Sequence, residues 1–141
     1  MYKFSKRSKD NLATASINLQ RLFNEVIKEI DCTVICGHRS PEEQFELYKK
    51  GRVNKDFKWI VVDKSKVVTN IDGRAKKSNH NYLPSKAVDV VPYPLDWNDI
   101  SAFKKLGEVV KRKAKELGIK ISWGGDWQTL KDYPHYEEAN K

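Results

Sequence analysis

From Asp10 to Ile30 the apolar residues Leu12, Ala15, Leu19, Leu22, Phe23, Val26, Ile27 and Ile30 recur at three- and four-residue steps. That period predicts one amphipathic helix with a single face on the core. The β-branched run Thr33 to Cys36 predicts a strand, ended by Gly37. Ser40-Pro41-Glu42-Glu43 then has the form of a capping box with proline at the first helical position, so a second helix is expected from Pro41 to about Lys50, closed by Gly51. Trp59 to Asp63 and Lys66 to Thr69 read as strands, and the Gly-, Asp-, Asn- and Ser-containing stretch from Asn70 to Asn81 reads as a loop that carries His80.

Ala87 to Val91 is a further short apolar strand, stopped by Pro92 and Pro94. The helical period returns from about Asp99 to Leu117 through Ile100, Phe103, Leu106, Val109, Val110, Ala114 and Leu117, with Gly118 placed to end it. Ile119 to Trp123 and His135 to Glu137 complete the strands, separated by a Gly124-Gly125 turn and a loop from Trp127 to Pro134. The pattern predicts an α+β fold, a small antiparallel sheet flanked by helices. Without repeats, linkers or low-complexity stretches, residues 1–141 are expected to form one domain with no separate binding module.

At 141 residues such a domain can bury a core without disulfides or a structural metal, so a metal bound here is expected to be catalytic. The two cysteines, Cys32 and Cys36, would lie roughly 13 Å apart on a strand and cannot pair; reduced, buried thiols are expected. No stretch is apolar enough to span a membrane, and Met1 to Ser8 lacks the apolar region of an export signal. The net charge of +8 favours polyanionic partners without choosing among them. Lys104, Lys105, Lys111, Arg112, Lys113 and Lys115 scatter around the polar arc of their helix, which predicts a solvated face that helps reach anionic envelope polymers, and no nucleic-acid surface.

With three histidines in the chain, a metal site must draw on His38, His80, His135 and carboxylates. Two imidazoles and one carboxylate, as in His80, Asp89 and His135, would leave a fourth zinc position open for water, which is the pattern of a hydrolytic site. Asp132, three residues before His135, is placed to act as a base beside such a metal.

Five stretches lie in order along the chain: Gly37-His38-Arg39-Ser40-Pro41-Glu42-Glu43-Gln44, Ser78-Asn79-His80-Asn81, Ala87-Val88-Asp89-Val90-Val91-Pro92, Trp123-Gly124-Gly125-Asp126-Trp127 and Asp132-Tyr133-Pro134-His135. Together they resemble the L-alanyl-D-glutamate endopeptidases of bacteriophage endolysins, which share a zinc fold with D-alanyl-D-alanine peptidases and the hedgehog signalling domain. The resemblance implies zinc ligands at His80, Asp89 and His135 and a catalytic acid/base at Asp132. It also implies substrate-binding positions at Arg39, Ser40 and Gln44, to which Ser78 and Trp127 are added as cleft residues. His38 falls on a variable position and is read as non-catalytic, Trp123 as core.

The implied activity is zinc-dependent hydrolysis of the L-Ala to D-Glu bond of the peptidoglycan stem peptide. The enzyme would be a monomer held in the host cytoplasm until the membrane is breached, and would then act on the wall. Relative to the family pattern, Asn81 to Val88 contains an extra Leu83-Pro84-Ser85 region, which a surface loop absorbs at modest entropic cost. A D,D-carboxypeptidase acting on D-Ala-D-Ala is the alternative within the fold. A non-hydrolytic zinc module or a nucleic-acid-binding module is the alternative of another class.

Overall fold

In the computed structural model, which describes residues 2–139, four antiparallel strands form the central sheet in the order β1-β4-β6-β5. Met1, Asn140 and Lys141, the ends of the expected 1–141 domain, lie outside those residues. The strands are β1 (Cys32–Cys36), β4 (Ala87–Pro92), β5 (Ile121–Trp123) and β6 (His135–Glu138); the helices are α1 (Lys6–Leu12), α2 (Ile17–Glu29), α3 (Pro41–Lys49) and α4 (Ile100–Leu117). A separate hairpin pairs β2 (Arg52–Lys55) with β3 (Lys58–Val61). The α+β architecture with helices flanking a small antiparallel sheet is the one the pattern predicts.

The two faces of the sheet differ because side chains alternate along a strand. Val34, Val88, Val90 and Tyr136 share one face and join Leu19, Leu22, Phe23 and Val26 of α2 and Leu106 and Val110 of α4 in a single core cluster. Asp89, His135 and Glu137 have the opposite parity and share the other face. β4 is buried along its whole length, so a charged residue there must find partners. Phe23 is fully buried and meets the Tyr136 ring edge-on at 5.5 Å. Phe23→Ala is expected to cost about 3–5 kcal/mol of stability, read as a lower midpoint in urea unfolding with an unchanged slope.

Three expectations need correction. The single helix over Asp10 to Ile30 is two helices, broken where Ser16 turns its hydroxyl to accept from the Leu19 amide and cap α2, while Ala15 bridges to Ser85. Lys66 to Thr69 is not a strand: the partner of β3 is β2, reached by a two-residue turn in which Asp56 and Phe57 both take positive φ. The added Leu83-Pro84-Ser85 region is only partly a surface loop, since Leu83 is exposed but Ser85 is buried and exchanges backbone hydrogen bonds with Thr14 and Ser16. Gly124 and Gly125 open the expected tight turn, the single 3-10 turn Gly124–Asp126, with neither at positive φ; glycine is needed there for close approach. A Cβ on Gly124 would strike the Asp132 carbonyl oxygen, and one on Gly125 would strike the Trp123 ring.

The remaining elements follow their local signals. The Ser40/Glu43 capping box opens α3 with Pro41 in its first turn. Asp99 caps α4, and Gly118 closes it in the left-handed conformation. Both cysteines are reduced; Cys32 is buried and Cys36 half-buried.

Candidate active site

Sheet register does most of the assembly. Asp89 on the central strand lies directly opposite His135 on one side and Cys36 on the other, with a bulge in β1 between Val34 and Cys36. Bulges re-aim the chain next to functional sites. Here the bulge is followed by Gly37, whose carbonyl meets Nδ1 of His80 at 2.7 Å. His80 itself sits in a single 3-10 turn, Asn79–Asn81, whose N-cap Ser78 accepts from the His80 amide.

Three donor atoms converge. His80 Nε2 lies 3.3 Å from His135 Nδ1 and 3.3 Å from Asp89 Oδ1, and His135 Nδ1 lies 3.5 Å from Asp89 Oδ1. The outer nitrogens fix which atoms carry protons. A carbonyl and a carboxylate only accept, so His80 Nδ1 donates to Gly37 O, and His135 Nε2 donates to Glu137 Oε1 at 2.6 Å. In the neutral imidazoles the inner nitrogens are then lone pairs. Two imidazole lone pairs and a carboxylate oxygen therefore face one another. Asp89 Oδ1 is buried without a hydrogen-bond partner among the described residues.

Such a triangle is unfavourable unless positive charge sits in it. A tetrahedral ion with bonds of about 2.0–2.1 Å needs donors about 3.3–3.4 Å apart, so the observed separations fit zinc. The titration behaviour of the cluster agrees in sign. Burial disfavours a charged His80, but contacts with Asp89 and Cys36 outweigh it and push the group up to about 10; burial opposes a charged His135 in the same way, and contacts with Asp89 and Glu137 raise it. Burial likewise opposes ionisation of Asp89, yet contacts with His135 and His80 hold it far below the carboxylate range.

Further contacts hold the three donors in place. Arg39 reaches Asp89 Oδ2 at 3.2 Å through one guanidinium nitrogen and Gln44 Oε1 at 2.9 Å through another. Gln44 is buried and donates to the Ile71 carbonyl at 2.9 Å. Arg39 is thus a clamp on the Asp89 carboxylate that also lines the cleft. Ser40 is a helix cap and does not line the cleft, while Ser78 caps the turn that carries His80 and does line it. His38 anchors only through its backbone amide to Thr14.

Sequence reasoning missed two neighbours. Glu137 lies two residues after His135 on one strand, so the two share a face; that spacing was the available signal. Although burial opposes its ionisation, contact with His135 holds the Glu137 carboxyl below its ordinary value. Cys36 lies with Sγ 3.8 Å from His80 Nδ1 and within reach of Arg39, but the nitrogen it faces already donates to Gly37 O. Glu137→Gln is expected to lower zinc affinity by about 10- to 100-fold with the fold intact, measured by competition with a chromogenic chelator.

The site opens into a cleft of about 730 Å³, lined in part by Arg39, Lys76, Lys77, Trp127, Lys131 and Asp132. Asp132 Oδ2 is 3.9 Å from His135 Nδ1, and its side chain is 43% exposed. Partial burial and then the negative charge of Asp89 raise its pKa above the ordinary value. The Trp127 ring lies 5.0 Å from the His135 ring.

Fold and site together describe a small α+β protein whose open cleft ends on three converging donor atoms that could hold a cation. The chain belongs to the phage L-alanyl-D-glutamate peptidase family, whose sequence profile it matches over residues 1–140. It is 28% identical over 137 residues to the L-alanyl-D-glutamate peptidase of Escherichia phage T5, covering 94% of this chain and 86% of that protein. It is 33% identical over 147 aligned positions to the Bacillus subtilis (strain 168) peptidoglycan L-alanyl-D-glutamate endopeptidase CwlK, covering 97% and 72% respectively. The crystal structure of the Serratia marcescens L-Ala D-Glu endopeptidase ChiX superposes with a TM-score of 0.71 at 28% identity, covering 97% of this chain and 90% of that one. Membership makes the protein a peptidase enzyme of the L-alanyl-D-glutamate class.

Proposed function

We propose that residues 1–141 form one monomeric catalytic domain that hydrolyses the L-Ala to D-Glu bond of the peptidoglycan stem peptide, with zinc held by His80, Asp89 and His135. The observation that carries the reading is the triangle of inward lone pairs, 3.3–3.5 Å on a side, at the floor of the cleft. When bound, zinc supplies Lewis acidity that makes water a nucleophile at neutral pH and polarises the scissile carbonyl.

This chain's own residues do the rest. Asp132, beside His135 and open to the cleft, takes the proton from the attacking water and passes it to the leaving amine. Its raised pKa brings it closer to the protonation balance such a shuttle needs. Trp127 offers a flat apolar wall on which the substrate backbone packs. Arg39, Lys76, Lys77 and Lys131 make the cleft attractive to an acidic peptide, and the free carboxylate of a γ-linked D-Glu is one such group. Arg39 keeps Asp89 oriented while doing so. The enzyme acts as an endolysin, waiting inside the host until the membrane is breached and then reaching the wall. No helix among the described residues is long and apolar enough to cross a membrane.

The test is mass spectrometry of purified peptidoglycan after digestion by the zinc-loaded protein. New D-Glu amino termini support the assignment. Released D-Ala would point to a D,D-carboxypeptidase, and an undigested wall to a non-hydrolytic binding module.

A further inference from the structure

The β2–β3 hairpin has no part in the cleft chemistry, yet its outer face is unusual. The register pairs Val53 with Ile60 and Lys55 with Lys58, and cross-strand pairs share a face. The opposite face carries Trp59, which packs edge-on against Phe45 of α3 at 5.6 Å, so the Val53/Ile60 face points to solvent. Val53 and Ile60 are 46% and 44% exposed, Val62 beyond the strand is 64% exposed, and Phe57 at the tip is 99% exposed.

The turn itself holds Phe57 outward. Asp56 and Phe57 have φ of 53° and 65°, a conformation that costs a bulky side chain stability and gives it no contact with the protein. The charge around the patch has one dominant sign. Residues 50–66 contain Lys50, Arg52, Lys55, Lys58, Lys64 and Lys66 against Asp56 and Asp63. Asp63 is turned to the Ser65 hydroxyl and to Lys66, while among the described residues Lys55, Lys58 and Lys64 form no ion pair.

We propose that this hairpin docks the enzyme on an anionic phospholipid bilayer, with Phe57 and the Val53/Ile60/Val62 face entering the interface and Lys55, Lys58 and Lys64 meeting lipid phosphates. Aromatic and aliphatic residues ringed by lysines are the chemistry of an interfacial segment. A hydrated wall polymer would satisfy the lysines but leave the apolar face exposed to water. A second copy of the chain would bring the same lysines together. The inference is independent of the metal and of the scissile bond.

The test is co-sedimentation of the full chain with vesicles of phosphatidylglycerol and phosphatidylcholine in equal parts, against pure phosphatidylcholine. The variants are Phe57→Ser and the pair Lys55→Glu/Lys58→Glu, each checked for native circular dichroism and for unchanged hydrolysis of soluble wall fragments. The wild type is expected to bind the anionic vesicles alone, and less so at high salt. Phe57→Ser should weaken partitioning by about tenfold, the scale of withdrawing one aromatic side chain from an apolar medium. The charge-reversed pair should weaken it at least as much. Equal binding by all three proteins would assign the attraction to overall charge and overturn the proposal, as would absence of wild-type binding. Concentration-dependent dimerisation lost in Phe57→Ser would overturn it in favour of a second copy.

Discussion

His80→Ala is expected to abolish both stoichiometric zinc binding and hydrolysis. His80 is fully enclosed, and its Nε2 is one corner of a triangle whose other corners are fixed by the sheet register of Asp89 and His135. Removing one corner leaves two donors, one of them a buried carboxylate oxygen with even less compensation. The Lewis acidity lost is worth several kcal/mol of barrier, so turnover should fall by on the order of 10³-fold or more. Inductively coupled plasma mass spectrometry of the dialysed variant and a turbidity assay on cell walls read the two losses. His80→Gln, which keeps volume and one polar end, guards against simple misfolding: it should fold, as judged by its thermal transition, yet still fail to retain zinc. Normal zinc content in a folded His80→Gln would contradict the ligand assignment.

Asp132→Asn should separate metal binding from chemistry. Asp132 Oδ2 lies 3.9 Å from His135 Nδ1, and the amide preserves its shape. Zinc content and thermal stability are expected to stay at the wild-type level, while kcat falls by about 10²- to 10⁴-fold, the usual contribution of a positioned acid/base. KM for soluble muropeptides should change little, since the side chain is assigned no binding contact. A KM effect with kcat preserved would make Asp132 a substrate-binding residue instead. Loss of zinc in the variant would make it a ligand.

Much of this site was legible in the sequence because its pieces carry local signals. The Ser40/Glu43 capping box and the Asp99 cap with Gly118 bound two helices, and the order of the His80, Asp89 and His135 stretches carried the family resemblance. What failed did so where a local pattern had two readings. Leu12, Ala15 and Leu19 keep a helical period straight through the break at Ala13 to Ser16, because Ala15 is buried against Ser85 and not within a continuous helix. Only the capping oxygen of Ser16 marked the new start. The β2–β3 turn was hidden because its positive-φ positions hold Asp56 and Phe57 in place of the glycine or asparagine such turns favour.

Long-range geometry was less readable still. Cys36 lies opposite Asp89 only once β1 and β4 pair with a bulge, and no spacing along the chain announces that pairing. Arg39, expected to face substrate, also holds Asp89, a contact between residues 50 positions apart. Glu137 is the exception, since its distance from His135 along one strand was enough to put both on the same face. The contacts that orient the three donors are thus mostly products of topology, while the donors themselves sit in short stretches that a reader can recognise.

The central claim is that the ion is held by His80 Nε2, His135 Nδ1 and Asp89 Oδ1. X-ray absorption at the zinc edge on the loaded wild-type protein tests it most directly. The expected result is a first shell of nitrogen and oxygen alone at about 2.0–2.1 Å, with the outer-ring scattering of two imidazoles. A sulfur shell at about 2.3 Å, removed by Cys36→Ser, would instead place Cys36 on the metal and contradict the assignment.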